Sequence, residues 1–90
     1  MDLRQLEFFV AVVERGSISR AAAALHLAQP SISKQLALLE KSLGQRLLER
    51  TGRGVMPTEA GRALLGHART MLNAAAQARL EITDMCAEPT

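Results

Sequence analysis

Ninety residues with a net charge of +2 make one domain rather than two, and a chain this short buries roughly 60–65% of the surface its unfolded form exposes. A hydrophobic share of 48% and a charged share of 22% argue against a disordered tail. An aromatic share of 2%, Phe8 and Phe9 alone, argues against a single-strand binder that stacks bases on aromatic platforms.

Ala and Leu abound and β-branched residues are few, so helix is favoured. Leu3, Leu6, Phe9, Val10 and Val13 recur at helical spacing and predict the buried stripe of a first helix. Gly16 supplies its left-handed cap. Ser17 stands where an N-cap belongs, and Ile18 to Leu25 reads as a short second helix whose Ala21–Ala24 run lets another helix pack close. His26 follows with almost no linker, in a place that needs a residue tolerant of positive φ, a conformation in which histidine is enriched. Pro30 opens a third helix, since proline is tolerated in a first turn. Ile32, Leu36, Leu39 and Leu43 mark its buried face, and Gly44 ends it. The opposite face carries Ser33, Lys34, Ala37 and Lys41, with Gln29, Pro30 and Ser31 at the tip. Short polar side chains and a lysine on an outward helix suit a DNA major groove, and two helices joined by a three-residue turn fit helix-turn-helix geometry.

Leu47–Arg50 and Val55–Met56 flank Thr51-Gly52-Arg53-Gly54, which reads as a β-hairpin carrying Arg50 and Arg53, with a flexible loop as the competing reading. An arginine there can enter a minor groove or hold a phosphate. Thr58 caps the last helix and Glu59 adds a negative charge to its first turn. Leu64, Ala68, Met71, Ala75, Ala78, Ile82 and Met85 then form a coiled-coil-like seam, widened by Leu65 and Leu72. Two readings stand: the strip meets a second copy of the chain, or it covers the protein's own core. The first is preferred, because the domain has too few other elements to cover the whole helix. Leu64, Leu65, Ala68, Met71, Leu72, Ala75, Ala78 and Ile82 are the expected dimer contacts.

Charge is unevenly spread. Residues 1–14 carry a net −2, residues 15–53 carry +5 from Arg15, Arg20, Lys34, Lys41, Arg46, Arg50 and Arg53 against Glu40 and Glu49, and residues 54–90 carry −1. A positive block on a nearly neutral chain suits a polyanionic partner better than a membrane surface. No apolar run approaches the ~20 residues of a membrane span, and Asp2, Arg4 and Glu7 interrupt any signal peptide. The single cysteine, Cys86, cannot form an internal disulfide. The expected setting is the reducing cytoplasm. His26 and His67 have no evident Asp or Ser partner, Cys/His metal spacing is missing, and no glycine loop cradles a phosphate, so neither an enzyme nor a metal or cofactor site is expected.

The string GSISRAAAALHLAQPSISKQLALLEKSLG, from Gly16 to Gly44, closely resembles the DNA-binding domain of LysR-type transcriptional regulators. LRQLEFFVAVVE before it and LLERTGRGVMPTEAG after it extend the match over nearly the whole chain. The resemblance implies a mainly α fold, with a winged helix-turn-helix at 1–57 and a long linker (dimerisation) helix at 58–90. It implies a DNA-bound homodimer on a pseudo-palindromic operator, and a tetramer in a full-length form. A larger C-terminal domain, outside these residues, would bind a small effector. Transferred by motif position, Gln29, Pro30, Ser33 and Lys34 contact bases, Ser31 and Arg20 lie near phosphates, and Arg50 and Arg53 belong to the wing. The chain departs from the family where Ala28 replaces a frequent Ser or Thr that caps the third helix, and where Lys34 replaces a frequent arginine and so loses the planar fork that grips guanine. Leu48 stands for a frequent Phe and Pro57 for a frequent Leu. The Arg50–Val55 wing with Pro57-Thr58 resembles the nitrogen-assimilation-control branch. The alternative is a helical pairing module without DNA binding, which leaves the basic middle third and the Gln29–Ser33 tip unexplained.

Overall fold

The computed structural model describes residues 1–87. Four helices and one two-stranded hairpin follow in the order α1 (Leu3–Arg15), α2 (Ile18–Leu25), α3 (Gln29–Leu43), β1 (Leu48–Thr51), β2 (Gly54–Pro57) and α4 (Glu59–Ala87). The fold is the mainly helical, winged helix-turn-helix arrangement that the sequence predicts.

The helix ends follow local chemistry. Asp2 caps α1: its carboxylate accepts the Gln5 N–H at 2.8 Å, and the Gln5 side chain accepts the Asp2 N–H at 3.3 Å, a reciprocal capping box. Gly16 closes α1 at φ 67°. The Ser17 hydroxyl accepts the Arg20 N–H at 3.2 Å to start α2, and His26 ends α2 at φ 58°, the sole non-glycine positive φ among the described residues. A β-branched or bulky apolar residue at that turn would be strained. Ala28 provides no side-chain cap to α3, as its missing hydroxyl predicts.

The core is built on α1. Phe8, Phe9 and Val12 meet Ala21 and Ala22 of α2, Ile32, Leu36 and Leu39 of α3, and Leu47 and Leu48 beside the wing. The small side chains of Ala21 and Ala22 let α2 seat closely. The buried face of α1 differs from the predicted stripe: Gln5, Leu6, Phe8, Phe9 and Val12 are buried, Leu3 is exposed, and Val10 and Val13 lie at the edge. The reason is that α1 touches α2, α3, α4 and β2, so it buries a wider arc than one stripe describes. Leu43 of α3 is likewise exposed rather than buried. The Gln5 amide is buried without penalty, because it also donates to the Gln35 side chain at 3.2 Å.

The hairpin is tighter than predicted. Thr51 pairs with Gly54, so that Gly52 and Arg53 alone form the turn. Two backbone bonds and one side chain fasten it. The Val55 N–H donates to the Gly16 carbonyl at 2.9 Å, and the Thr58 N–H donates to the Leu47 carbonyl at 2.9 Å. The Glu40 carboxylate, reaching from α3, accepts the Leu47 N–H at 2.7 Å and lies near the Leu48 N–H. Thr58 is the cap of α4 that the sequence predicts, its hydroxyl accepting the Gly61 N–H at 3.1 Å and donating to the Arg46 carbonyl at 2.6 Å.

The two readings of α4 divide its length. Its first turns serve the protein's own core: Leu64 and Leu65 pack against it, and Ala68 is fully buried within the single chain. Ala68 therefore presents no exposed surface to a second copy, unlike the other residues expected at the dimer contact. Met71, Leu72 and Ala75 are half-buried, whereas Ala78 and Ile82 are exposed, together with Leu80 and Met85. At about 1.5 Å per residue, a 29-residue helix outruns the winged body, and the molecule measures 57 × 25 × 19 Å. The side chain of Cys86 and residues 88–90 lie outside the described residues.

Candidate nucleic-acid interface

The turn at His26 aims the N-terminal end of α3 away from the core. Ile32, Leu36 and Leu39 hold one side of α3 in the interior, which leaves Gln29, Pro30, Ser31 and Lys34 exposed on the other and Ser33 half-buried. Helical geometry then sets what lies beside what. Positions 29 and 33 share one edge of α3 and positions 31 and 34 the other.

The wing stands against the first edge. Ser17, Ile18, Ser19, Gln29, Arg50, Thr51, Gly54 and Val55 line one groove, and Ser33, Ala37, Glu40, Arg46 and Arg50 contribute to the next. Arg50 borders both, so β1 delivers a guanidinium beside Gln29 and Ser33. Glu40 sets this spacing: by holding the wing's first backbone amides from within α3, it fixes the approach of β1 to the helix. Sequence reading missed Glu40, because a carboxylate in a basic stretch reads as surface charge. Arg20 and Arg53 do not line these grooves. Arg20 is exposed on α2, and Arg53 projects from the hairpin turn.

None of Arg20, Lys34, Arg50 and Arg53 is in an ion pair among the described residues, where the two salt bridges join Arg46 to Glu40 and Arg69 to Glu14. Lys34 and Arg50, unneutralised by protein carboxylates, thus flank one exposed helix tip, while Arg20 and Arg53 stand unpaired elsewhere on the surface. Among the described residues no cluster of His, Cys, Asp and Glu could hold a metal ion, and no helix is long and apolar enough to cross a membrane. His26 sits in the turn between helices, and His67 is exposed on α4.

Residues 3–62 match the family model described as "Bacterial regulatory helix-turn-helix protein, lysR family". The chain belongs to the LysR family. Among its LysR-family relatives is the nitrogen assimilation regulatory protein nac of Klebsiella aerogenes, 51% identical over 85 residues that make up 94% of this chain and 28% of that protein. The Escherichia coli K12 protein of the same name is 50% identical over 82 residues, 91% of this chain and 27% of its own length. The chain therefore spans just over a quarter of these relatives. In three dimensions it is similar to the BenM DNA-binding domain in complex with catB site 1 DNA, with a TM-score of 0.92, 38% identity, and coverage of 99% of this chain and 100% of that one. The CbnR DNA-binding domain in complex with DNA superposes with a TM-score of 0.87 at 42% identity, covering 98% of this chain and 100% of that one. These relatives are transcriptional regulators or their DNA-binding parts, which sets them apart from enzymes.

Proposed function

We propose that this LysR-family chain binds double-stranded DNA sequence-specifically and serves transcription regulation. The observation that carries this reading is the exposed tip of α3, flanked by unpaired cations, on a fold shared with DNA-complexed domains of the same family. Gln29, Pro30, Ser33 and Lys34 meet base edges in the major groove. Ser31 and Arg20 meet phosphates, Arg50 lies between α3 and the backbone, and Arg53 reaches toward the minor groove.

Two subunits join through the distal part of α4, along the half-buried Met71, Leu72 and Ala75 and the exposed Ala78 and Ile82, and together read a pseudo-palindromic site. The full-length protein is a tetramer whose further domain binds the effector, and it works in the cytoplasm on the nucleoid. No cofactor takes part in the DNA contact. A pairing module without DNA binding would leave the α3 tip and the unpaired Lys34 and Arg50 beside it without a role.

Band-shift titration across salt tests this. Affinity for a duplex is expected to fall linearly in log–log form, with a slope of about −0.9 for each phosphate neutralised, and so by orders of magnitude between about 50 and 200 mM salt. A chain that pairs with itself yet retards no duplex at the lower salt overturns the reading.

A further inference from the structure

We propose that the DNA-binding surface extends onto α1, where Arg4, with Ser31 of α3, holds a backbone phosphate; this rests on the DNA-binding reading above. Residues 1–14 are net acidic, and Arg4 is their single basic side chain. The fold places it at the tip of α3. Asp2, Arg4 and Phe8 of the α1 end, Leu27 of the turn, and Ser31, Lys34 and Gln35 of α3 line one open notch on the side of α3 away from the wing.

The Arg4 guanidinium lies over the Phe8 ring, 5.5 Å from its centroid. That stacking holds the stem in place while the N–H groups remain available, and it lowers the ordering cost of a contact. Arg4 is in no ion pair among the described residues. Neither nearby acid is ion-paired to it: the Asp2 carboxylate caps α1 by accepting the Gln5 N–H, and Glu7 borders the adjoining groove with Arg4 without a salt bridge.

The notch thus offers the Arg4 guanidinium and the Ser31 hydroxyl, with the Lys34 ammonium and the capping Asp2 carboxylate beside them. A singly charged phosphodiester oxygen matches that set, where a cation or an apolar group does not. The macromolecule follows from continuity. Ser31 and Lys34 belong both to the notch and to the exposed tip of α3, so a duplex seated on that tip carries one strand past Arg4. The wing and α1 would then grip the backbone on opposite sides of the reading helix.

The test compares the unmodified chain with Arg4→Ala, Arg4→Gln and Arg4→Lys on two duplexes, one recovered from a randomised pool by the unmodified chain and one of unrelated sequence. Removing the charge in Arg4→Ala and Arg4→Gln should flatten the log–log salt slope by about 0.9 for each bound subunit on both duplexes. Arg4→Lys should keep the slope. Ethylating single phosphates of the recovered duplex should reveal one position that weakens the unmodified chain and leaves Arg4→Gln indifferent. Thermal melts accompany each variant, and Arg4→Gln, which keeps a stem over Phe8, carries the comparison if the alanine variant unfolds. Unchanged slopes in folded, uncharged variants overturn the proposal, and so does a lysine variant as impaired as the alanine one, because stacking on Phe8 would then be the cause. If the unmodified chain retards no duplex, the DNA-binding reading itself fails, and the phosphate contact with it.

Discussion

Gly54→Ala is expected to cost on the order of 3 kcal/mol of folding stability, the largest effect of any single methyl group in the wing. Gly54 has φ 136°, a conformation essentially reserved for glycine, and a Cβ there would land on the carbonyl oxygen of Gly16. Relief requires the strand to lift away from the α1–α2 turn, which breaks the Val55 N–H bond to Gly16. A domain of this size holds roughly 5–13 kcal/mol in total, so the melting temperature should fall by more than about 10 °C. Gly52, one turn residue away, has open space around its Cβ position. Gly52→Ala should therefore change stability by less than about 0.5 kcal/mol. Circular-dichroism melts of the pair check this, and equal melting temperatures would show that β2 does not lean on Gly16 as described. The lost anchor also lets Arg50 drift from Gln29 and Ser33, so DNA affinity should fall in Gly54→Ala even below its melting point.

Lys34→Ala should weaken binding to a recovered operator by about 1–3 kcal/mol, or roughly 5- to 150-fold, and relax one base position. Lys34 is exposed on α3 one turn from Ser31, clear of the core residues Ile32 and Leu36, so its removal should leave folding stability nearly unchanged. Specificity separates a base contact from a phosphate contact. A base contact costs more on the recovered duplex than on unrelated DNA, whereas equal loss on both assigns Lys34 to the backbone alone.

The parts of this molecule that were legible in sequence are those governed by local chemistry. Gly16, Ser17, His26, Pro30, Gly44 and Thr58 each punctuate the chain by their own backbone or hydroxyl preferences, and the helix boundaries follow from them. The outward tip of α3 was legible for the same reason, since Ile32, Leu36 and Leu39 assign the opposite side to the core. The buried face of α1 was not. Periodicity finds one stripe, and α1 is covered by α2, α3, α4 and β2 together. The Asp2–Gln5 capping box was available as an Asp followed three residues later by Gln, but its second duty, the bond from Gln5 to Gln35, joins residues thirty apart.

The candidate site shows the same division. Residue types and their order pick out Gln29, Ser33, Lys34, Arg50 and Arg53. The long-range features escape that reading: Glu40 holding the wing, Gly54 resting on Gly16, and Arg4 brought from an acidic segment to the end of α3. The heptad pattern of α4 gives a third case. Its repeat is real, yet one repeat serves two masters, the domain's own core through Leu64, Leu65 and Ala68, and a strip that is half-buried at Met71, Leu72 and Ala75 and exposed at Ala78 and Ile82. Spacing alone holds no mark of where one ends.

The most direct test of the central claim is a crystal structure of this chain on a duplex recovered by selection. The N-terminal turns of α3 should lie in the major groove, with Gln29, Pro30, Ser33 and Lys34 against base edges and Arg50 beside the backbone. A duplex lying along α4 or another face, with the tip of α3 left in solvent, would contradict it.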